Sequence, residues 1–282
     1  MVNIVNWGPE VAEDFRERII VDPDNPILAS KANRNRYTNL PNQAKYAGLP
    51  HLGSKHSEDA LIWNVFRSLQ LTRSLDLVTR ELAVGEPRGL LLWTLAPDIG
   101  DVNADLQYGA GSLIRKFDGI FPGQITEPDV VLLGTKGIAV IECKLSEPGK
   151  APTHLWEGEL QSVRKRLSTY RKEVPTLIAE RVTEEDIAPV YQLVRMAFYA
   201  MKLGARFGVK PVVVSLANES NWSLEIRRLG KSASELWEVF CSHTLGEESP
   251  NCENLTWQRI RQLITGGLLD NLSLYLSTHP CL

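Results

Sequence analysis

Residues 128–145 read PDVVLLGTKGIAVIECKL and form the best-defined structural pattern in the sequence. Two runs rich in Val, Ile and Leu flank the segment Gly-Thr-Lys-Gly at positions 134–137, a pattern that is typical of two antiparallel strands joined by a tight turn. Such a hairpin pairs the start of its first strand with the end of its second. We therefore expect Asp129 to lie close to Glu142 and Lys144.

The end of this hairpin opposite the turn carries three charged side chains. Because side chains alternate along a strand, Glu142 and Lys144 share a face with Ile138 and Val140. Charges at the end of an apolar hairpin are costly to bury unless they pair with one another or bind a metal ion. One interpretation is therefore a structural hairpin end with local ion pairs, and the other is a metal site.

The metal-site interpretation gives each charged residue a role. Mg²⁺ prefers carboxylate oxygens, waters and phosphate oxygens, which suits Asp129, Glu142 and the backbone carbonyl of Cys143 as ligands of Mg²⁺ or Mn²⁺. Lys144 would then position or deprotonate the attacking water, or neutralise charge on the phosphorus centre. Asp129, Glu142 and Lys144 are thus the candidate catalytic residues.

Outward from the hairpin, helical and strand patterns follow one another. SKHSEDALIWNVFRSLQ predicts a helix from Glu58 to about residue 71, with Ser57 as its N-cap. The apolar runs at 89–97 and 209–217 predict buried strands, and helices are expected at about 155–172 and 184–207. The Gly-, Asp- and Asn-rich connection over 98–127 is too long for a plain loop, so we expect a functional insertion there.

Pro128-Asp129, followed by Glu142-Cys143-Lys144, resembles the P-D…(D/E)-x-K signature of the PD-(D/E)xK nucleases, the restriction-endonuclease-like superfamily. The resemblance covers roughly residues 55–217 and includes that family's order of a helix, a three-stranded meander, a helix and a fourth strand. It implies an α/β restriction-endonuclease-like core, in which helices flank a central mixed β-sheet. It also implies metal-dependent hydrolysis of DNA phosphodiester bonds by an activated water.

The resemblance adds Glu58 as a further candidate metal ligand and catalytic residue, because the first core helix of that family often supplies an acidic ligand. Glu58 shares one helical face with Ile62, Val65 and Leu69, which puts its carboxylate in line with an apolar stripe. The alternative is that Glu58 only complements the positive end of the helix dipole.

The two helices after the hairpin carry the candidate nucleic-acid contacts. Each has polar and basic residues beside an apolar stripe, and such side chains can reach a phosphate backbone. They are Gln161, Arg164 and Lys165 in the first helix, and Gln192 and Arg195 in the second. The alternative for each is a solvated surface side chain. Gln192 also resembles a helix glutamine that many of these nucleases carry near their site.

Composition limits the function classes. The 282-residue chain is 43% hydrophobic and 23% charged, which is ordinary globular composition. Its net charge of -3 excludes a basic body that coats nucleic acid non-specifically, so contacts with DNA, or with RNA, must rest on local clusters. No long apolar run and no leader-like N-terminus are present, which predicts a soluble, cytoplasmic protein with no membrane partner.

We expect three segments: an N-terminal arm over residues 1–54 packed on the core, a nuclease core over 55–217, and a helical C-terminal extension over 218–282. A homodimer is compatible with this function, because cutting both DNA strands often requires two active sites. One rival function is a catalytically inactive nuclease fold that binds nucleic acid. The other is an interaction protein with neither activity.

Overall fold

A computed structural model describes residues 7, 9–38, 44–117, 127–145, 157–221, 225–226, 231–264, 269–280 and 282, with the backbone alone at 157–163, 221 and 225–226. The chain divides into two units: residues 1–78 with 258–282 form the first unit, and residues 79–257 form the second. This division differs from the three segments expected from the sequence, since the N-terminal arm, the first long helix and residues 258–282 fall in one unit.

The helices are α1 (Pro26–Arg34), α2 (Glu58–Leu71), α3 (Asp76–Glu81), α4 (Asp101–Phe117), α5 (Glu157–Glu173), α6 (Glu184–Ile187), α7 (Tyr191–Phe207), α8 (Ala233–Val239), α9 (Trp257–Leu263) and α10 (Asp270–Thr278). The strands are β1 (Pro87–Leu92), β2 (Val130–Gly134), β3 (Gly137–Cys143), β4 (Lys210–Ala217), β5 (Glu225–Ile226), β6 (Lys231–Ser232) and β7 (Asn251–Thr256). Within the described ranges, no helix is both long and apolar enough to cross a membrane.

The second unit is built on a five-stranded sheet in the order β1-β2-β3-β4-β7. The first three strands pair antiparallel, whereas β4 pairs parallel with both β3 and β7. A parallel pair requires a crossover, and α5 to α7 lie in the crossover between β3 and β4. The predicted α/β class, with a central mixed sheet flanked by helices, is confirmed.

The predicted hairpin is formed by β2 and β3. Leu133 pairs with Ile138, so only Thr135 and Lys136 lie in the loop. The main chain at Val84 supports this turn, because its carbonyl accepts from the N–H groups of Lys136 at 2.9 Å and Gly137 at 3.0 Å. The close approach explains a glycine at 134, where an added Cβ would lie 2.2 Å from the Val84 oxygen.

Helices α4, α5 and α7 pack on one face of the sheet. That face presents Val131, Val140 and Val213, which belong to one buried cluster with side chains from the three helices. The rings of Tyr170 in α5 and Phe198 in α7 stack there with centroids 4.3 Å apart. Burial of this apolar surface is the main stabilising contribution in the unit.

An ion-pair cluster joins the same helices nearer the surface. The Glu173 carboxylate at the end of α5 accepts from Lys202 of α7 at 3.1 Å and from Lys116 of α4 at 3.2 Å. These two hydrogen bonds, the Lys202 bond first, hold the pKa of Glu173 below its usual value. The charges therefore support the helix layer that covers the sheet.

The first unit ties the N-terminal arm to α2. Helix α2 begins as predicted after Ser57, whose hydroxyl accepts from the Ala60 N–H at 3.1 Å. Three side chains of α2 then hold the arm: Asn64 bonds the main chain of residues 18 and 20, Trp63 donates to the Val21 carbonyl, and Arg67 pairs with Asp22 at 2.7 Å.

Three elements differ from the sequence-based expectation. The connection over 98–127, expected to be an insertion, contains α4. The arm contains α1, which begins after an Asn25 N-cap with Pro26 at its first position. The segment after residue 218 contains helices α8 to α10, but it also contributes β7 to the sheet edge.

Candidate active site

The hairpin brings Asp129 and Glu142 side by side. Val130 pairs with Ile141, so the next position along the ladder sets Asp129 opposite Glu142. Asp129 Oδ2 accepts a hydrogen bond of 2.8 Å from the Cys143 N–H, which fixes the aspartate against the end of β3. Two carboxylates therefore lie at the hairpin end opposite the turn.

Glu142 is the buried acid of this pair. Its side chain is 2% exposed, and Oε1 accepts from Lys144 Nζ at 2.8 Å. Oε2 is buried and has no hydrogen-bond partner among the residues that the structure describes. Since buried polar atoms are nearly always paired, an oxygen left without a donor beside a second carboxylate fits a cation ligand.

The main chain around Lys144 is held from both sides. Its N–H donates to the Leu216 carbonyl of β4 at 2.8 Å, and its carbonyl accepts from the indole of the buried Trp257 at 3.2 Å. The Lys144 side chain is 19% exposed, so the ammonium lies between the buried acid and the surface.

A strained turn supports Asp129 on its other side. Trp93 and Thr94 have φ angles of 51° and 64°, and Leu92 and Leu95 close the turn with two main-chain hydrogen bonds of 2.9 and 3.0 Å. The Trp93 N–H donates to the Asp129 carbonyl at 3.0 Å. Positive φ is uncommon for residues other than glycine, and such outliers persist only where the surrounding structure enforces them.

Glu58 belongs to the first unit, where it begins α2. It lines a cavity of about 430 Å³ together with polar and aromatic side chains such as Tyr37, Tyr46 and His51. No group of three His, Cys, Asp or Glu side chains suited to a metal ion occurs in the described part of the chain. A role for Glu58 as a further metal ligand stays a prediction.

The candidate nucleic-acid contacts differ in how exposed their side chains are. Arg164 and Lys165 are exposed on α5, and the Arg164 side chain, 61% exposed, lies 3.8 Å from Glu184. Arg195 is 2% exposed, with its guanidinium over the Tyr191 ring at 5.6 Å. The other two are glutamines: Gln192 has a buried Oε1, and the Gln161 side chain lies outside the described residues.

Ser215 was not among the residues singled out from the sequence, yet it pairs directly with Glu142 across β3 and β4. The available signal was one hydroxyl inside the apolar run VVVSLA at 212–217. Without the register, that serine has no evident neighbour.

No curated protein matches the chain, and no solved structure does. A family model described as "Restriction Endonuclease associating with ARP" matches residues 43–279, which is most of the chain and includes the whole candidate site. The chain therefore belongs to this REase-ARP family, and it is a restriction-endonuclease-like protein.

Proposed function

We propose that this chain is a Mg²⁺-dependent nuclease of the PD-(D/E)xK type that hydrolyses DNA phosphodiester bonds with an activated water. One observation carries the proposal. Glu142 is buried beside Asp129, and its Oε2 lacks a hydrogen-bond partner within the described ranges. A divalent cation held by both carboxylates would offset the cost of burying that oxygen.

Asp129 and Glu142 would hold the ion together with the Cys143 carbonyl, since Mg²⁺ takes oxygen ligands. A bound Mg²⁺ polarises the phosphate and lowers the pKa of water. The chain itself orients the two carboxylates: the Cys143 N–H fixes Asp129 Oδ2, and Lys144 fixes Glu142 Oε1. The Lys144 ammonium is largely shielded from solvent, so its attraction for charge developing on the phosphate is weakly screened.

Helix α5 supplies the candidate contact with the DNA backbone. Arg164 and Lys165 are exposed there, and the distance of 3.8 Å from Arg164 to Glu184 is at the limit of an ion pair. Exposed pairs of this kind contribute little stability, so a phosphate can replace Glu184 at low cost.

The test is cleavage of supercoiled plasmid, single-stranded DNA and RNA in EDTA, Mg²⁺ or Mn²⁺. We expect DNA cleavage that requires the metal and falls at least about a hundredfold in Asp129→Asn, Glu142→Gln and Lys144→Met, because each removes a charge that acts on the reacting atoms. Preferential cleavage of RNA would change the substrate assignment and leave the site intact.

Two matched controls lie at the opposite end of the same hairpin. Lys136 in the turn and Glu86 beside it are exposed, so Lys136→Met and Glu86→Gln make the same chemical changes away from the site. Both should cleave like the wild type. Cleavage that persists in the Asp129, Glu142 and Lys144 variants, or that needs no metal, would contradict the proposal.

One observation favours a second candidate, a nuclease fold that binds nucleic acid without cutting it. Among the described residues the structure groups no three acidic, His or Cys side chains as an ion site, whereas active metal nucleases commonly use more ligands than two carboxylates. Titration calorimetry separates the candidates: DNA binding without Mg²⁺ binding supports the second one, and Mg²⁺ binding that is lost in Glu142→Gln supports the first.

A further inference from the structure

A row of polar residues crosses the sheet at the level of Glu142. The row below it is apolar: Val131, Val140 and Val213 are register partners on three neighbouring strands and belong to the buried cluster under the helices. On each strand, the side chain two residues away, toward the hairpin end opposite the turn, lies on the same face of the sheet. The next row on that face therefore consists of Asp129, Glu142 and Ser215.

Ser215 is a polar residue in an otherwise apolar part of strand β4. The strand is buried between two neighbours, and its interior from Val212 to Ala217 is apolar except for this serine. Central parallel strands are normally near-continuous apolar runs. Ser215 is 0% exposed, and its Oγ has no hydrogen-bond partner among the described residues.

The two neighbouring residues thus share one property. Glu142 Oε2 and Ser215 Oγ are both buried, both are without a hydrogen-bond partner in the described part of the chain, and they belong to directly paired positions of β3 and β4. Unpaired buried polar atoms are rare in folded proteins, and each calls for a physical reason. A single ligand group between them, which accepts from or donates to the hydroxyl, would satisfy both atoms.

We infer that Ser215 is a positioning residue of the metal site, an inference that rests on the proposed function. With an ion held by Glu142 Oε2, the Ser215 hydroxyl would hydrogen-bond a water of that ion and so help to orient it. Outer-shell partners of this kind orient metal-bound groups and commonly change metal affinity by about 10–100-fold when they are removed. Strand β4 thereby contributes to a site in which Asp129, Glu142 and Lys144 come from the hairpin.

This role predicts opposite effects on the metal-free and the metal-bound protein. In EDTA, Ser215→Ala removes a buried hydroxyl that has no partner, so the melting temperature should stay equal or rise. With Mn²⁺, the same variant should bind the ion about tenfold more weakly, as measured by calorimetry and by the Mn²⁺-dependent rise in melting temperature. Ser215→Thr, which keeps the hydroxyl, should restore most of the affinity.

The matched control is Val213→Ala, because Val213 lies two residues earlier on the same strand and face. It should lower the melting temperature in EDTA and leave the Mn²⁺ affinity within about twofold, since it removes packing but no polar group. A Ser215→Ala variant with wild-type Mn²⁺ affinity, or with a lower melting temperature in EDTA, overturns the inference about Ser215 but leaves the proposed function standing. A wild-type protein that binds no Mn²⁺ overturns the proposed function as well.

Discussion

Replacing Lys144 with Met should destabilise the metal-free protein by about 3 kcal/mol. The change removes the contact of 2.8 Å from Lys144 Nζ to Glu142 Oε1, and the other carboxylate oxygen, Oε2, has no hydrogen-bond partner among the described residues. Breaking a buried ion pair by removing one partner costs about 3–5 kcal/mol, because the other charge stays buried without compensation. The lower end applies because the Lys144 side chain is 19% exposed, which lets water approach the site.

Glu142→Gln should cost less, about 1–2 kcal/mol, because the ammonium that it leaves behind can turn toward solvent. The double variant Glu142→Gln with Lys144→Met leaves no buried charge on either residue. Its loss should therefore be smaller than the sum of the two single losses by about 2 kcal/mol, a coupling that is typical of residues in direct contact.

Urea unfolding in EDTA, followed by tryptophan fluorescence, measures all four free energies. The buried indoles of Trp93 and Trp257 lie in the unit that contains the hairpin, so the signal reports on it. Lys136→Met, in the exposed hairpin turn, is the matched control and should leave the free energy of unfolding unchanged to within about 0.5 kcal/mol. A loss below about 1 kcal/mol for Lys144→Met, or additive losses in the double variant, would refute the assignment of Glu142 as a buried anion.

Three further predictions concern other parts of the molecule. Burial of the His279 imidazole lowers its pKa from 6.5 to about 4, so between these pH values the unfolded chain binds a proton that the folded chain does not. The free energy of unfolding should therefore fall by up to about 3 kcal/mol as the pH drops from 6.5 to 4. His279→Gln should flatten this pH dependence in urea unfolding. Gly134→Ala would place a Cβ 2.2 Å from the Val84 carbonyl and should destabilise the protein by at least about 1–3 kcal/mol in the same assay, whereas Gly100→Ala, with no atom within 4 Å of its added Cβ, should not. Arg164→Gln should reduce the salt dependence of DNA binding by about one unit of log–log slope in fluorescence anisotropy, and an unchanged slope would remove Arg164 from the contact surface.

Local signals explain why the hairpin and α2 could be predicted. The turn sequence Gly-Thr-Lys-Gly and the apolar runs around it fix both the strands and their register, and the register alone brings Asp129 next to Glu142. Helix α2 has an N-cap serine, acidic residues in its first turn and an unbroken helical pattern. In both elements the residues that decide the structure are close together in sequence.

Elements with weak local signals were missed. Strand β7 reads NCENLT, which has two asparagines, a glutamate and no β-branched residue before its last position, so its place at the sheet edge comes from pairing with β4. Helix α4 contains Gly109 and Gly111, which have low helix propensity. Packing can require such a residue: a Cβ on Gly109 would lie 3.0 Å from the Arg206 side chain.

The residues of the candidate site also differ in whether local sequence could predict them. Asp129, Glu142 and Lys144 could be grouped from the sequence because a hairpin pairs near neighbours. Ser215 joins the row only through the parallel pairing of β3 with β4, and these strands are connected by the crossover that contains α5 to α7. No local sequence pattern gives the register between distant strands. The pairing of a buried serine in an apolar strand with Glu142 is therefore seen only in the folded sheet.

The turn at Trp93 and Thr94 bears on how far this protein could be stabilised. Turns with two successive positive φ angles are normally built from Asn and Gly, and other residues add a conformational cost of about 1–2 kcal/mol each. Replacing these residues with Asn or Gly could therefore raise the free energy of unfolding. The turn that would change is the one that holds the Asp129 main chain through the Trp93 N–H. Substitutions that relax this turn to raise thermal stability would therefore also change the segment that anchors one candidate metal ligand.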